Sequence, residues 1–274
     1  MTPQIPGYVL SLESILRPFV ITIALGLIWL GAARMPASAK SRYTTAGVLS
    51  AVLIGWVIVA QYLGAANAYL ATIDNPPAVP TVLLGLLIPL AVAAIALWRS
   101  ESIARLVSAI PLHWLVAAQV YRVAGGIFLV LWADGRLPWQ FALPAGTGDV
   151  TTGIVAVVVA VQLARNAIGA HRATYAWSLF GIADFVVAIT MGAMTSPGRP
   201  HLLAFDAPNL LISSYPLVMG PTFAVPLAPC CMASFYGGCD EAPPRPADSR
   251  QRDASRLILA LFSSPRFSDT RPTR

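Results

Sequence analysis

Charge is what this sequence has least of. Asp, Glu, Lys and Arg make up 11% of its 274 residues, against 57% hydrophobic residues. Soluble domains carry roughly 25% charged residues, so a water-soluble globule is excluded. Lysine is nearly absent: Lys40 is the sole one, and it falls in a loop. A retinal protein needs a lysine in its seventh helix for the Schiff base, so that function is excluded too. Cysteine is missing before residue 230. The three that follow, Cys230, Cys231 and Cys239, lack the paired spacing and histidine partners of a zinc site. His113, His171 and His201 stand in separate loops or helix ends, so neither a metal centre nor a cofactor is expected. No zinc-protease H-E-x-x-H, phosphate-binding loop or G-x-S-x-G elbow occurs. The alternating segments of about 10 residues that mark a membrane β-barrel are absent as well.

What the chain does have is long apolar runs. A helix needs about 20 apolar residues to cross a bilayer. Seven stretches meet or approach that length: Pro18–Ala33, Thr45–Ala65, Val79–Trp98, Leu112–Ala133, Val150–Ala164, Thr174–Met194 and Leu210–Cys231. The first and fifth are short and open to extension. Only a helix satisfies its own backbone in lipid without closing a barrel. The expected fold is therefore all-α, a polytopic transmembrane helix bundle of about seven helices with the lipid bilayer as its partner.

Cytoplasmic loops retain Lys and Arg. The loops after the first, third and fifth stretches, with the tail, hold 14 of the 18 basic residues, and the opposite side holds 3. Arg122, inside a helix, is the last. This predicts an exterior N-terminus and an interior C-terminus. It also accounts for the net charge of +6 without nucleic acid as a partner. Ala37-Ser38-Ala39 looks like a signal-peptide cleavage site, but the cationic cluster follows the apolar run rather than preceding it, which favours a retained helix.

Composition breaks near residue 229. Residues 1–229 read as the membrane domain. Residues 230–274 form a basic tail rich in Cys, Pro and Ser, which cannot bury enough apolar area to fold alone. Three origins compete: a disordered cytoplasmic tail, a frame change in a GC-rich gene, and a metal or palmitoylation site at the cysteines. Ser255–Phe262 is one short stretch with interfacial helical character.

Two charges fall deep inside apolar runs. Arg122 lies ten residues into the fourth stretch and Asp184 ten residues into the sixth. At a rise of about 1.5 Å per residue both sit about 15 Å deep. Buried charges in lipid are costly and find partners, so an Arg122–Asp184 pair is expected if those helices touch. Gln119, Arg122 and Gly126 share one helix face, as do Gly181, Asp184 and Ala188. The pair reads either as a lock between helices or as an ion, substrate or proton-relay site.

The two outer connections each start with Gly-Arg and carry an acid near the next helix. Asp149, Asp206 and Asn209 are expected to cap helix N-termini, or else to line an outer vestibule. Gly146-Thr147-Gly148-Asp149 also matches the G-x-G-D string of intramembrane aspartyl proteases, which pair that acid with a second on the preceding helix. The nearest earlier acid is Asp134, and the Tyr-Asp partner motif is missing, so no enzyme activity is expected. Pro216, Pro221 and Pro226 in the seventh stretch tend to kink it, and broken helices often line transporter sites.

The run from Tyr121-Arg122-Val123-Ala124-Gly125-Gly126 to Gly148-Asp149, then Ala204 to Ile212 and Pro221 to Leu227, resembles bacterial multi-pass inner-membrane proteins of uncharacterised function. The likeness covers about residues 110–228 and implies a bacterial inner membrane but no activity. Two functions follow as expectations. One is a transporter-like protein for an unknown small solute or ion, bound at Arg122, Gln119 and Asp184. The other is a scaffold or assembly partner in which the same pair only holds helices together.

Overall fold

The computed structural model describes residues 4–73, 76, 81–198 and 200–227, all within one compact unit, Met1–Gly237. The tail cysteines Cys230, Cys231 and Cys239, the stretch Ser255–Phe262 and Arg199 lie outside the described residues.

The described residues are helical, with no strand. The helices are α1 (Gly7–Arg34), α2 (Ala39–Ala65), α3 (Thr81–Arg99), α4 (Glu101–Ser108), α5 (Leu112–Ala117), α6 (Ile127–Ala133), α7 (Trp139–Ala164) and α8 (Ala170–Thr195). A 3-10 segment, Ala118–Gly126, joins α5 to α6. Six spans are long and apolar enough to cross a membrane: α1, α2, α3, the combined Leu112–Ala133, α7 and α8. This fits a multi-pass membrane protein.

Local chemistry sets the ends. Ser38 caps α2 by accepting from the Ser41 amide, and Ser100 caps α4 by accepting from the Ile103 amide. At the end of α1, Arg42 donates to the Ala32 and Ala33 carbonyls at 2.6 and 2.8 Å. Those carbonyls have no partner within the helix, and a cation there also suits the helix dipole. The short α4 docks on α1 because Gly31 has no side chain: a Cβ there would lie 2.6 Å from the Leu106 carbonyl oxygen.

Four expected helix starts move outward, two of them by a turn or two: α2 begins at Ala39 rather than Thr45 and α8 at Ala170 rather than Thr174. The first helix begins at Gly7 rather than Pro18, and the fifth at Trp139 rather than Val150. Both of these expected starts fall where the apolar run is interrupted, at Arg17-Pro18 in the first and from Pro144 to Asp149 in the fifth. Pro18 and Pro144 sit inside their helices, and proline is tolerated within membrane helices.

The expected seventh helix, Leu210–Cys231, is not continuous over its described part. It runs as a 3-10 turn at Leu211–Ser213, turns through Pro216, and a π-helical stretch at Gly220–Ala224. Its prolines are the physical reason. Pro226 has no N–H to give the Thr222 carbonyl four residues earlier, and Trp56 donates to that oxygen instead at 2.9 Å. The Tyr121 hydroxyl likewise donates to the Ala224 carbonyl at 2.8 Å. Irregular backbone at membrane depth persists only where protein buries it and supplies partners. Val218, Met219, Thr222 and Phe223 are all buried, and Met219 and Phe223 pack against Val20 of α1 and Val57 and Ala60 of α2.

Candidate functional site

Arg122 lies at the middle of the 3-10 segment. Runs of more than 3–4 residues in that geometry are uncommon, and within a helix they often mark a functional hinge or strain. Positions three apart eclipse in a 3-10 helix, so Gln119, Arg122 and Gly125 form one row. That row faces α7, which packs between this segment and α8.

The Arg122 guanidinium holds two acids. Its Nε donates to Asp149 Oδ1 of α7 at 2.8 Å, and its Nη2 donates to Asp184 Oδ2 of α8. Its carbon lies 4.1 Å from the Phe185 ring centroid, within cation–π range. Glycine makes the approach possible. A Cβ on Gly148 would collide with the Asp184 carboxylate, and one on Gly125 would collide with Asp149. Gly153 likewise lets α7 reach the Val123 backbone, where a Cβ would lie 2.7 Å from the amide nitrogen. Small residues serve this purpose between membrane helices. Around the cluster, Arg122 Nη1, both amide atoms of Gln119 and the Thr152 hydroxyl are buried without a hydrogen-bond partner.

Beside the cluster lies a cavity of about 180 Å³, reached by Glu13, Arg122 and Asp149 and walled by apolar residues that include Phe128, Phe141 and Phe185. The two acids on Arg122 differ in access. Asp149 lines the cavity and keeps 20% of its side chain accessible, whereas Asp184 does not line it and keeps 5%. Glu13 is a second acid on the wall, paired within α1 to Arg17 at 3.5 Å.

Residues 78–235, more than half of the chain, match a family described as a domain of unknown function, DUF8737. The chain belongs to the DUF8737 family. No curated protein and no solved structure matches the chain. The DUF8737 region contains Gln119, Arg122, Asp149 and Asp184. Glu13 and Arg17, the other ion pair at the cavity, precede it.

Within DUF8737, Arg122 and Asp184 are brought together as their depths suggest. The helices that carry them do not pack directly on each other in bulk; Arg122 reaches Asp184 past the bare Gly148 of α7. Gln119 is buried in the same row, with its amide unpaired.

Asp149 is a correction. It is not a helix cap, because α7 starts at Trp139 and places it ten residues inside the helix, on Arg122 and at the wall of the cavity. The G-x-G-D glycines serve packing: Gly146 lies against Leu129 and Gly148 against Asp184. Asp134 accepts instead from the Tyr8 hydroxyl at 2.5 Å.

Asp206 is a second correction. It sits exposed in a turn and caps no helix. Asn209 does act locally as a cap: it is buried, and its Oδ1 accepts from the Ile212 amide at 3.3 Å at the start of the 3-10 turn. Neither residue lines the cavity with Asp149, so the three do not form one vestibule.

Sequence reasoning missed the second acid on Arg122, and Glu13 as a wall residue. The signal for Asp149 was present. An acid between two glycines and an apolar run stands at membrane depth once the helix is extended through Pro144.

Proposed function

We propose that this protein is a permease-like carrier of a small solute or ion in the bacterial inner membrane, rather than an enzyme. One observation carries the reading: the buried Asp149–Arg122–Asp184 cluster opens through Asp149 onto a partly open cavity. A purely structural ion pair has no need of an adjoining cavity. Intramembrane charges that face a cavity mark substrate and ion pathways. The broken chain over Leu211–Ala224 adds support, since discontinuous helices commonly border transporter sites.

The competing reading is a scaffold in which the cluster only locks helices. The sealing of Asp184 behind Gly148 favours it. Access from water separates the two. Residues 1–229 contain no cysteine, so replacing Cys230, Cys231 and Cys239 by Ser gives a clean background for Ala188→Cys on the cavity wall. A carrier exposes that thiol to a membrane-impermeant reagent from both faces of sealed vesicles. A scaffold protects it from both, as lipid protects the exposed position Val186→Cys.

A further inference from the structure

We infer that the cavity binds a small organic cation, an ammonium group that meets the carboxylates of the wall while its alkyl groups lie against the aromatic side chains. This names the solute of the carrier reading and rests on that reading only for the claim that the ligand is transported.

The sign of the charge follows from which atoms reach the cavity. Glu13 and Asp149 both line it. Their side chains retain 12% and 20% of their accessible surface. The cations stand behind them. Arg17 does not line the cavity. Arg122 borders it, but its Nε and Nη2 are committed to the two aspartates, its plane rests on Phe185, and its Nη1 has almost no accessible surface. An anion entering here would face two carboxylates, while the unpaired guanidinium nitrogen of Arg122, Nη1, is buried out of reach behind them. A cation would find the reverse.

Three carboxylates, Glu13, Asp149 and Asp184, also stand against two guanidiniums, Arg17 and Arg122. Glu13 and Arg17 balance each other, so with all groups ionised the excess negative charge belongs to the Arg122 cluster, whose Asp149 reaches the wall. In an apolar bundle such a charge is met by a proton or by a counter-ion, and a cation in the cavity supplies the second.

The walls decide what kind of cation. Phe128, Phe141 and Phe185 are among their residues, and the remaining wall is overwhelmingly apolar. A bare metal ion needs six or more oxygen ligands if it is calcium, or several retained waters if magnesium, and such walls supply neither. Aromatic rings with a carboxylate suit an alkylated ammonium, whose charge is diffuse and whose methyl groups tolerate apolar contact. Size limits it further. A cavity of about 180 Å³ is close to the ~150 Å³ apolar cavity that holds benzene in an engineered core and below the ~300–1,000 Å³ of drug-sized pockets.

The test uses the full chain in lipid nanodiscs and calorimetric or radiolabel binding. The probes are tetramethylammonium and choline, with 3,3-dimethylbutan-1-ol as the neutral isostere of choline and pivalate as an anion of like size. Choline is expected to bind saturably, at least about tenfold tighter than the neutral isostere, with pivalate weaker still. Glu13→Gln or Asp149→Asn is expected to lower the cation's affinity by about tenfold or more. The comparison among probes needs no variant, and Glu13→Gln leaves the Arg122 cluster untouched, so a misfolded Asp149→Asn does not block the answer. Equal binding of choline and its isostere overturns the inference. So does tighter binding of pivalate, absence of cation binding, or cation binding indifferent to both substitutions. Each of those outcomes leaves the carrier reading to the thiol-access result. A bound cation with a thiol inaccessible from both faces keeps the site and removes the carrier.

Discussion

Gly148 and Asp184 occupy the same space in turn: the side chain that Gly148 lacks is the room the Asp184 carboxylate fills. Through that gap Arg122 reaches across α7 and binds acids on two helices at once. The bundle around the cluster therefore depends on an absent methyl group as much as on charge.

Gly148→Ala is expected to destabilise the protein by about 1–3 kcal/mol, the range for overpacking a filled interior. Gly47→Ala, with nothing within 4 Å of its added Cβ, is expected to be neutral or slightly stabilising. Thermal unfolding in detergent micelles compares them. Equal midpoints would remove the steric role given to Gly148.

Removing the guanidinium strands two buried carboxylates. Arg122→Met is expected to cost about 3–5 kcal/mol, the price of breaking a buried pair by one partner. Neutralising the acids as well, in Arg122→Met with Asp149→Asn and Asp184→Asn, is expected to regain most of that loss. The same unfolding measurement reads both variants. If the triple variant stays as unstable as the single one, unpaired charge was not the cause. If it is restored and also keeps full cellular function, the scaffold reading prevails.

Trp56 and Pro226 are expected to be energetically coupled. Trp56→Phe withdraws the donor from the Thr222 carbonyl and should cost about 1–3 kcal/mol, the cost of leaving a buried acceptor unmade. Pro226→Ala returns a backbone N–H to the segment. In that background Trp56→Phe should cost less. A double-mutant cycle measures the difference, and strict additivity would contradict the proposed exchange of donors.

Loop charge predicts orientation. A reporter inserted near Lys40, or between α7 and α8 at Ala167, is expected to read interior. One inserted at Gly135 between α6 and α7 is expected to read exterior. Activity of an export-dependent phosphatase reporter at the first two sites would reverse the assignment.

Much of the helix inventory was legible in the primary structure. The α2, α3 and α8 segments follow from apolar runs with few charges, and the C-terminal ends of α1 and α7 fall within a residue of where those runs stop. The N-terminal ends of α1 and α7 were not legible, because Arg17-Pro18 and the run from Pro144 to Asp149 interrupt the apolar pattern although both lie inside helices. The 3-10 winding around Arg122 was not read from the sequence: Gln119, Arg122, Gly125 and Gly126 lower the hydropathy there, but hydropathy does not distinguish one helical winding from another. Nor does hydropathy separate a seventh straight helix from a folded one. The three prolines of residues 211–227 pointed to kinks, but the donors that make an irregular path possible, Trp56 and Tyr121, come from distant helices.

Sequence alone determined that the chain belongs in a membrane, and that Arg122 and Asp184 lie at depths where each needs a partner. Both follow from local quantities, the scarcity of charge and the rise per residue of a helix. Only the tertiary structure decided who the partners are. Asp149 and Asp184 stand 27 and 62 residues from Arg122, and their meeting depends on how three helices are rotated and how closely glycine lets them approach. The same packing turned Asp149 from a residue of an apparent loop into the acid that faces the cavity.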